Sequence, residues 1–274
     1  MDSDLAADAA KSGAKKGRPT RHRAPLEREH LASMADLCHK HKLSAVRDFF
    51  AILLAFRGFM RGGEVTGLIA DDITVEDLKE KPPPSAPFPP LSAASVAQQA
   101  QASASAASAP DRYMAPRSVL VVLISSSKTK PQAQKKQRAW REGDSVIIGP
   151  DKDERLCPIA WYKRYSAMRE KDLNSPSPQA PFFYSTASAR QPLDSSRFNE
   201  IVKRWLGFIN VDPTLYGGHS ARVGGATAAA KALVDVRLIK RHGRWKSDAV
   251  YIYIRDDSYS MLPLQEALGF LSLQ

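Results

Sequence analysis

The densest concentration of reactive side chains is Gly218-His219-Ser220-Ala221-Arg222-Val223-Gly224. A Gly pair, Gly217-Gly218, precedes an Ala-rich stretch that reads as a helix from about Ser220 to Ala232. His219 and Arg222 stand three apart at its start. They share a face there with unpaired backbone N–H groups and the positive end of the helix dipole. That arrangement suits a phosphate. A second arginine, Arg61, sits far upstream in Gly58-Phe59-Met60-Arg61-Gly62-Gly63-Glu64, with Glu64 three residues on and able to hold its guanidinium. Two arginines from distant segments can clamp the non-bridging oxygens of one phosphodiester. Downstream follow Trp245, Tyr251, Tyr253 and Arg255. Taken singly, the ordinary readings are a capping pair for His219 and Arg222, core for Trp245 and a half-buried helical tyrosine for Tyr253.

The bulk composition agrees with a polyanionic partner. Among 274 residues, 40 Lys and Arg stand against 29 Asp and Glu, a formal charge of +11. Basic residues that neutralise phosphates release condensed counterions, so such an excess favours nucleic acid over a merely solvated surface. Two cysteines, Cys38 and Cys157, form neither a disulfide framework nor a zinc set, and the chain reads as intracellular and reduced. No metal site is expected. The longest apolar run, Phe49 to Phe56, is too short to span a bilayer, so no membrane partner is expected. MDSDLAADAAK at the start lacks the apolar region of a secretory signal.

The elements that must position these residues can be traced along the chain. Residues 1–23 read as a disordered basic tail, with six basic residues and no acid between Lys11 and Arg23. Within it, Lys16-Gly17-Arg18-Pro19 resembles the core of an AT-hook, which lays Arg in the minor groove. Such a tail reads equally as a nuclear address or a solvated end, and the nucleus is the expected compartment in a eukaryote. A helix is expected from about Pro25 to His39, with Leu26, Leu31, Met34 and Leu37 on its apolar side. A second begins near Ser44 and is apolar on most sides, hence interior. Strands are expected at Ile73–Val75, Ser118–Ile124 and Ser145–Ile148. Between the first two, residues 82–110 are Pro, Ser, Ala and Gln with no charge, too polar to offset their ordering entropy. They mark a disordered insertion, placed at 82–116, within one domain spanning 24–274. Further helices are expected from Cys157-Pro158 to about Met168, after Asp194, from Asp235 to His242, and from Ser247 to about Arg255. An amphipathic piece closes the chain at Leu262–Leu271.

Set in this order, the motifs resemble the tyrosine recombinase (phage integrase) family. GHSARVG is similar to the family's second active-site box, and GFMRGGEVTGL to its first, a Gly-x-x-Arg-x-x-Glu followed by an apolar residue. Ser127-Lys128-Thr129-Lys130 falls in the polar turn where the family keeps a β-hairpin lysine. Gly243-Arg244-Trp245-Lys246-Ser247-Asp248, then Tyr253-Ile254-Arg255, is similar to the third box and the nucleophile helix. The resemblance runs from about Ala24 to Arg255, apart from the insertion.

What the resemblance implies follows residue by residue. Arg61 and Arg222 clamp the scissile phosphate, and Glu64 supports Arg61. Lys128 is the general acid for the departing 5′-oxygen, with Lys130 the alternative among seven basic residues between Arg117 and Arg141. His219 bonds the phosphate and accepts the tyrosine proton. Trp245 donates its indole N–H but cannot move a proton. Tyr253 is the nucleophile. Because the Trp-to-Tyr spacing is one residue shorter than in the phage member whose second box matches, Tyr251 remains the alternative. The fold implied is mainly α with a small three-stranded antiparallel β-sheet (α+β). The activity implied is DNA strand transfer in integration, excision or mobile-element transposition, with no cofactor. The alternatives are a domesticated DNA-binding protein with idle catalytic residues and a type IB topoisomerase-like enzyme. Double-stranded DNA is the expected partner, contacted also by Lys16, Arg18, Lys130, Lys135, Lys136 and Arg244. Self-association on DNA, as a dimer or tetramer, is expected through the C-terminal segment. In one respect the chain departs from the pattern: only the basic tail precedes the first expected helix, where the family usually carries a separate helical domain.

Overall fold

In the computed structural model of the chain, residues 23–77, 118–124, 145–185 and 191–254 are described. They form eight α-helices and three strands: α1 (Arg28–Leu37), α2 (Leu43–Arg57), α3 (Gly62–Thr66), β1 (Ile73–Asp77), β2 (Ser118–Leu123), β3 (Ser145–Ile148), α4 (Pro158–Leu173), α5 (Ser195–Phe208), α6 (Ser220–Lys231), α7 (Val236–His242) and α8 (Val250–Tyr253). The mainly helical architecture with a small antiparallel sheet is as the sequence predicts. The expected tail, insertion, polar turn and C-terminal piece lie outside the described residues.

The interior is organised around α2. Every residue from Val46 to Phe56 is buried, as expected of a helix apolar on most sides. Phe50 packs against Phe182 and Phe183 with ring centroids 6.2 and 5.8 Å away, and Phe49 meets Trp161 edge-on at 4.7 Å. Each such side chain, fully buried, is worth about 1.5–3 kcal/mol. The sheet has the order β1-β2-β3 with both pairings antiparallel, Ile73 opposite Val122 and Leu120 opposite Ile148. It is tied to α4 by the Tyr162 hydroxyl, which donates to the Ile73 carbonyl at 3.1 Å.

Some expected boundaries differ. Pro25 and Leu26 precede α1 as extended chain, because the backbone there is used elsewhere: Ala24 N–H donates to Leu215 O at 2.9 Å and Leu26 N–H to Ser220 O at 3.0 Å. Leu26 is nevertheless buried, while Leu37, placed on the apolar side, is half exposed at 50%. Ser44 does not cap α2, which begins one residue earlier with Lys42 at the cap position. Asp194 and Asp235 do cap, each carboxylate accepting a backbone N–H at 2.7 Å, from Arg197 and Arg237 respectively. The helix expected from Ser247 is shortened to the four residues of α8. Its lead-in is a tight turn, with Tyr251 N–H donating to Asp248 O and Ile252 N–H to Ala249 O, both three residues back at 3.1 Å.

Two glycines set how closely the site elements approach. A Cβ on Gly224 would stand 2.0 Å from Leu26 O, and one on Gly225 would stand 2.1 Å from Phe56 O. Helix α6 therefore lies against the backbone of both the α1 lead-in and the end of α2, which brings Arg222 beside Phe59 and Arg61.

Candidate active site

Three segments meet at Glu64: its own, which carries Arg61, and those of Arg222 and Arg244. This carboxylate is 2% exposed. Its Oε1 accepts from the Arg61 guanidinium at 2.8 Å. Its Oε2 accepts from Arg61 N–H at 2.8 Å and from the Arg244 guanidinium at 2.7 Å. The Arg222 guanidinium stands 3.9 Å from the same oxygen. Burial alone would raise the carboxyl's pKa. The bonds and charges of Arg244, Arg61 and Arg222 outweigh it and hold the group below its ordinary value. One buried anion thus gathers three cations, leaving a positive excess for an external anion.

Arg222 is wholly covered. Its guanidinium donates to the carbonyls of Phe59 and Gly243, the latter at 2.7 Å. It lies 4.1 Å over the Trp245 ring and 5.3 Å from the Tyr253 ring. Burial, followed by the neighbouring Arg61 charge, pushes its pKa down to about 10, which leaves it protonated at neutral pH. Its Nε and the Trp245 indole Nε1 are both buried without a hydrogen-bond partner. Two orphaned donors of this kind are costly.

Phe59 and Arg244 take left-handed backbone conformations, φ 46° and 58°. These are unfavourable for side-chain-bearing residues. The turn at Phe59 is where its carbonyl meets Arg222, and the turn at Arg244 is where its side chain meets Glu64. A small apolar cluster of Phe59, Ala226, Ile239, Trp245 and Val250 lies beneath.

The structure therefore brings Arg61, Glu64, Arg222, Trp245 and Tyr253 together. His219 takes the cap position before α6 and is exposed, whereas Arg222 three residues on is buried. Tyr253 is half-buried, its ring 5.1 Å from Trp245. Tyr251 on the same short helix is 61% exposed. Arg244, expected to contact DNA, has its guanidinium on Glu64. Lys16, Arg18, Lys128, Lys130, Lys135 and Lys136 lie outside the described residues. Sequence reasoning missed His242. Its Nε2 is 2.8 Å from Arg57 O, and burial, reinforced by Arg244, Arg57 and Arg222, holds its pKa below the ordinary value. The carbonyl requires the tautomer with the proton on Nε2. No spacing signals this contact, which spans 185 residues. Among the described residues no group of His, Cys, Asp and Glu is placed to hold a metal, and no helix is long and apolar enough to cross a membrane.

This fold is that of the catalytic domain of tyrosine recombinases. The chain is similar to the XerH site-specific recombinase in its post-cleavage complex with palindromic difH substrate, with a TM-score of 0.54 and 15% identity over 90% of this chain and 53% of that one. It is also similar to the Tn1549 transposon integrase in complex with transposon right-end DNA, with a TM-score of 0.50 and 10% identity over 95% of this chain and 70% of that one. In sequence it is 24% identical over 245 residues to an integrase/recombinase xerD homolog of Selenomonas ruminantium, covering 87% of this chain. The chain spans 56% of the length of that relative. No protein-family model matches it. The resemblance first visible in the active-site boxes is thus matched by sequence similarity along most of the chain and by the fold.

Proposed function

We propose that this chain is a site-specific DNA recombinase or integrase that cleaves and rejoins strands through a 3′-phosphotyrosine on Tyr253. The observation that carries the reading is the meeting of Arg61, Arg222, Trp245 and Tyr253 around Glu64. Three cations, two orphaned donors and one phenol from separate segments fit a phosphodiester and its attacker.

In the proposed reaction Arg61 and Arg222 take the non-bridging oxygens, and Trp245 donates its indole N–H. The Tyr253 hydroxyl oxygen attacks phosphorus as its proton passes to His219. The bond from phosphorus to the 5′-oxygen breaks, and Lys128, or Lys130 in its place, supplies the proton that makes the free 5′-hydroxyl. Attack by a 5′-hydroxyl reverses the step and rejoins the strand, with the bond energy kept in the phosphotyrosine. Arginines and a lysine carry the charge that divalent cations carry in other nucleases. Since Arg222 is covered, phosphate entry requires the Tyr253 turn to shift. Arg244 acts here mainly by holding Glu64.

Double-stranded DNA is the proposed substrate, gripped additionally by Lys16, Arg18, Lys130, Lys135 and Lys136. The basic tail fits a nuclear address, and integration or excision of a mobile element fits the chemistry. The C-terminal segment, with Leu262, Leu264, Leu268, Phe270 and Leu271, is proposed to mediate self-association on DNA.

The test is incubation with a nicked suicide duplex in EDTA. A denaturation-resistant protein–DNA adduct is expected, and it should vanish in Tyr253→Phe while duplex binding persists. Activity that dies in chelator and returns with Mg²⁺ contradicts the proposed chemistry.

A further inference from the structure

The start of α5 lies between two glycine pairs, one next to Arg61 and one next to His219. A Cβ on Gly62 would stand 2.9 Å from the Phe198 ring, and one on Gly63 would stand 3.1 Å from Ser195 Oγ. On the other side, a Cβ on Gly218 would stand 3.6 Å from the same Phe198 ring, which is wholly buried. The segment that carries Arg61 and the segment that carries His219 therefore share one wall, residues 195–199 of α5.

Asn199 is the point at which that wall grips the second segment. Gly218 N–H donates to its Oδ1 at 2.9 Å. A Cβ on Gly217 would stand 2.9 Å from the same oxygen, so the Asn199 amide occupies the space that a side chain at 217 would need. The turn has its own internal ties: Gly217 N–H donates to Ser220 Oγ at 3.0 Å, and Ser220 N–H donates back to Gly217 O at 2.9 Å. The bond to Asn199 differs from these in reaching the turn from another helix. It fixes the peptide immediately before His219, whose side chain is exposed. A side chain so little packed is aimed chiefly by the backbone that carries it.

We propose that Asn199 is a positioning residue for strand cleavage, acting through the Gly218 amide to aim His219 at the tyrosine and the phosphate. The inference rests on the reading of the preceding subsection, in which the Tyr253 proton passes to His219. Asn199 touches neither of the reacting groups, and its amide neither takes nor gives a proton. Its part is to hold the carrier of the acceptor in register with the Arg61 segment, because both lean on the same stretch of α5. Reacting groups work only when supporting bonds hold them within about 0.5 Å of the productive geometry. A misplacement of about 1 Å can cost roughly 100-fold in rate, so losing this one bond should cost about 10- to 100-fold. The bond also satisfies a turn N–H, and the experiment separates that structural duty from positioning.

The experiment uses the full chain and follows single-turnover formation of the covalent adduct on a nicked suicide duplex at saturating protein. Wild type, Asn199→Ala, His219→Gln and the double variant form a cycle. Asn199→Ala should slow the reaction about 10- to 100-fold when His219 is present. In the His219→Gln background it should change the rate by no more than about twofold, because residues that act as a unit are not additive. The duplex Kd should stay at the wild-type value. Should a thermal melt show Asn199→Ala unfolded, Asn199→Ser, polar but one bond shorter, takes its place in the cycle. A second readout needs no turnover: in Tyr253→Phe protein, duplex binding should shift the NMR signals of the His219 ring, and the added Asn199→Ala should shrink that shift. This decides the matter if His219→Gln forms too little adduct to measure, and an undiminished shift then overturns the proposal. An equal loss of rate in both backgrounds makes Asn199 a structural residue and overturns it, as does a rate that Asn199→Ala leaves unchanged. A weakened Kd with the saturated rate intact makes Asn199 a DNA contact and overturns it too. A folded wild type that forms no adduct defeats the reading of the preceding subsection and the proposal with it, so the two failures are distinguishable.

Discussion

The two halves of the candidate active site are built differently. The half that would hold phosphate is locked: Glu64 accepts three hydrogen bonds, from Arg61 twice and from Arg244, and Arg222 is fixed by two carbonyls. The half that would attack is loosely attached. Tyr253 closes a four-residue helix whose neighbours Tyr251 and Ile252 are 61% and 57% exposed. Thr227 donates to its carbonyl at 3.1 Å, and its ring rests on Trp245. A preorganised anion cradle saves reorganisation at the moment of reaction. A nucleophile on a weakly held turn can be displaced to admit substrate, as the covered Arg222 demands.

That contrast can be broken first at its rigid side. Glu64→Gln leaves three guanidinium groups around a neutral amide. Removing one partner of a buried ion network costs about 3–5 kcal/mol. At about 2–4 °C per kcal/mol for a domain of this size, the melting temperature should fall by roughly 10 °C. The same substitution should change the acid limb of the stability curve. Because Glu64 is held below its ordinary pKa, its contribution is full above the unfolded value. It is lost as the pH falls through the folded one, and the variant should lack that loss.

Packing comes next. Gly225→Ala drives a methyl into Phe56 O and the Phe59 ring, 2.1 and 2.6 Å away. Overpacking of this kind costs about 1–3 kcal/mol, and by tilting α6 it should weaken DNA binding as well, read by a melt and a binding isotherm together. His242 gives a smaller, pH-dependent effect. Its folded pKa is depressed, so stability is full above about 6.5 and declines as the pH drops from there toward the folded value. Denaturant titrations at pH 7.5 and 5.5 should show that decline in wild type and little of it in His242→Gln.

The loose half should respond least in stability. Thr227→Val removes the hydroxyl bonded to Tyr253 O and should cost about 1 kcal/mol. Limited proteolysis should nevertheless cut sooner around residues 250–254, while the Arg61–Glu64–Arg244 cluster stays unchanged. Equal destabilisation by Thr227→Val and Glu64→Gln would erase the distinction between the halves.

Much of this was legible in the sequence where local chemistry decides. Asp194 and Asp235 announce helix starts because an acceptor side chain satisfies a free N–H there. The alternation and β-branching of Ser145–Ile148 give a strand, and the pairing of Arg61 with Glu64 follows from their spacing. Long-range geometry was not legible. That Arg244 turns inward depends on a left-handed backbone at a non-glycine residue, and the bond from His242 to Arg57 O joins segments that share no periodicity. The shortened α8 was missed because Ser247 looks like a cap, whereas its hydroxyl accepts from Ala249 N–H at a long 3.4 Å and the turn there is too tight for an α-helix.

The central claim is that Tyr253, on the loose turn beside the fixed cations, forms the covalent link to DNA. Peptide mapping of the adduct trapped on a suicide duplex tests it most directly. A nucleotide remnant on Tyr253, with Tyr251 unmodified, is the predicted result. A remnant on the exposed Tyr251, with the Tyr253→Phe protein still forming the adduct, would contradict the account.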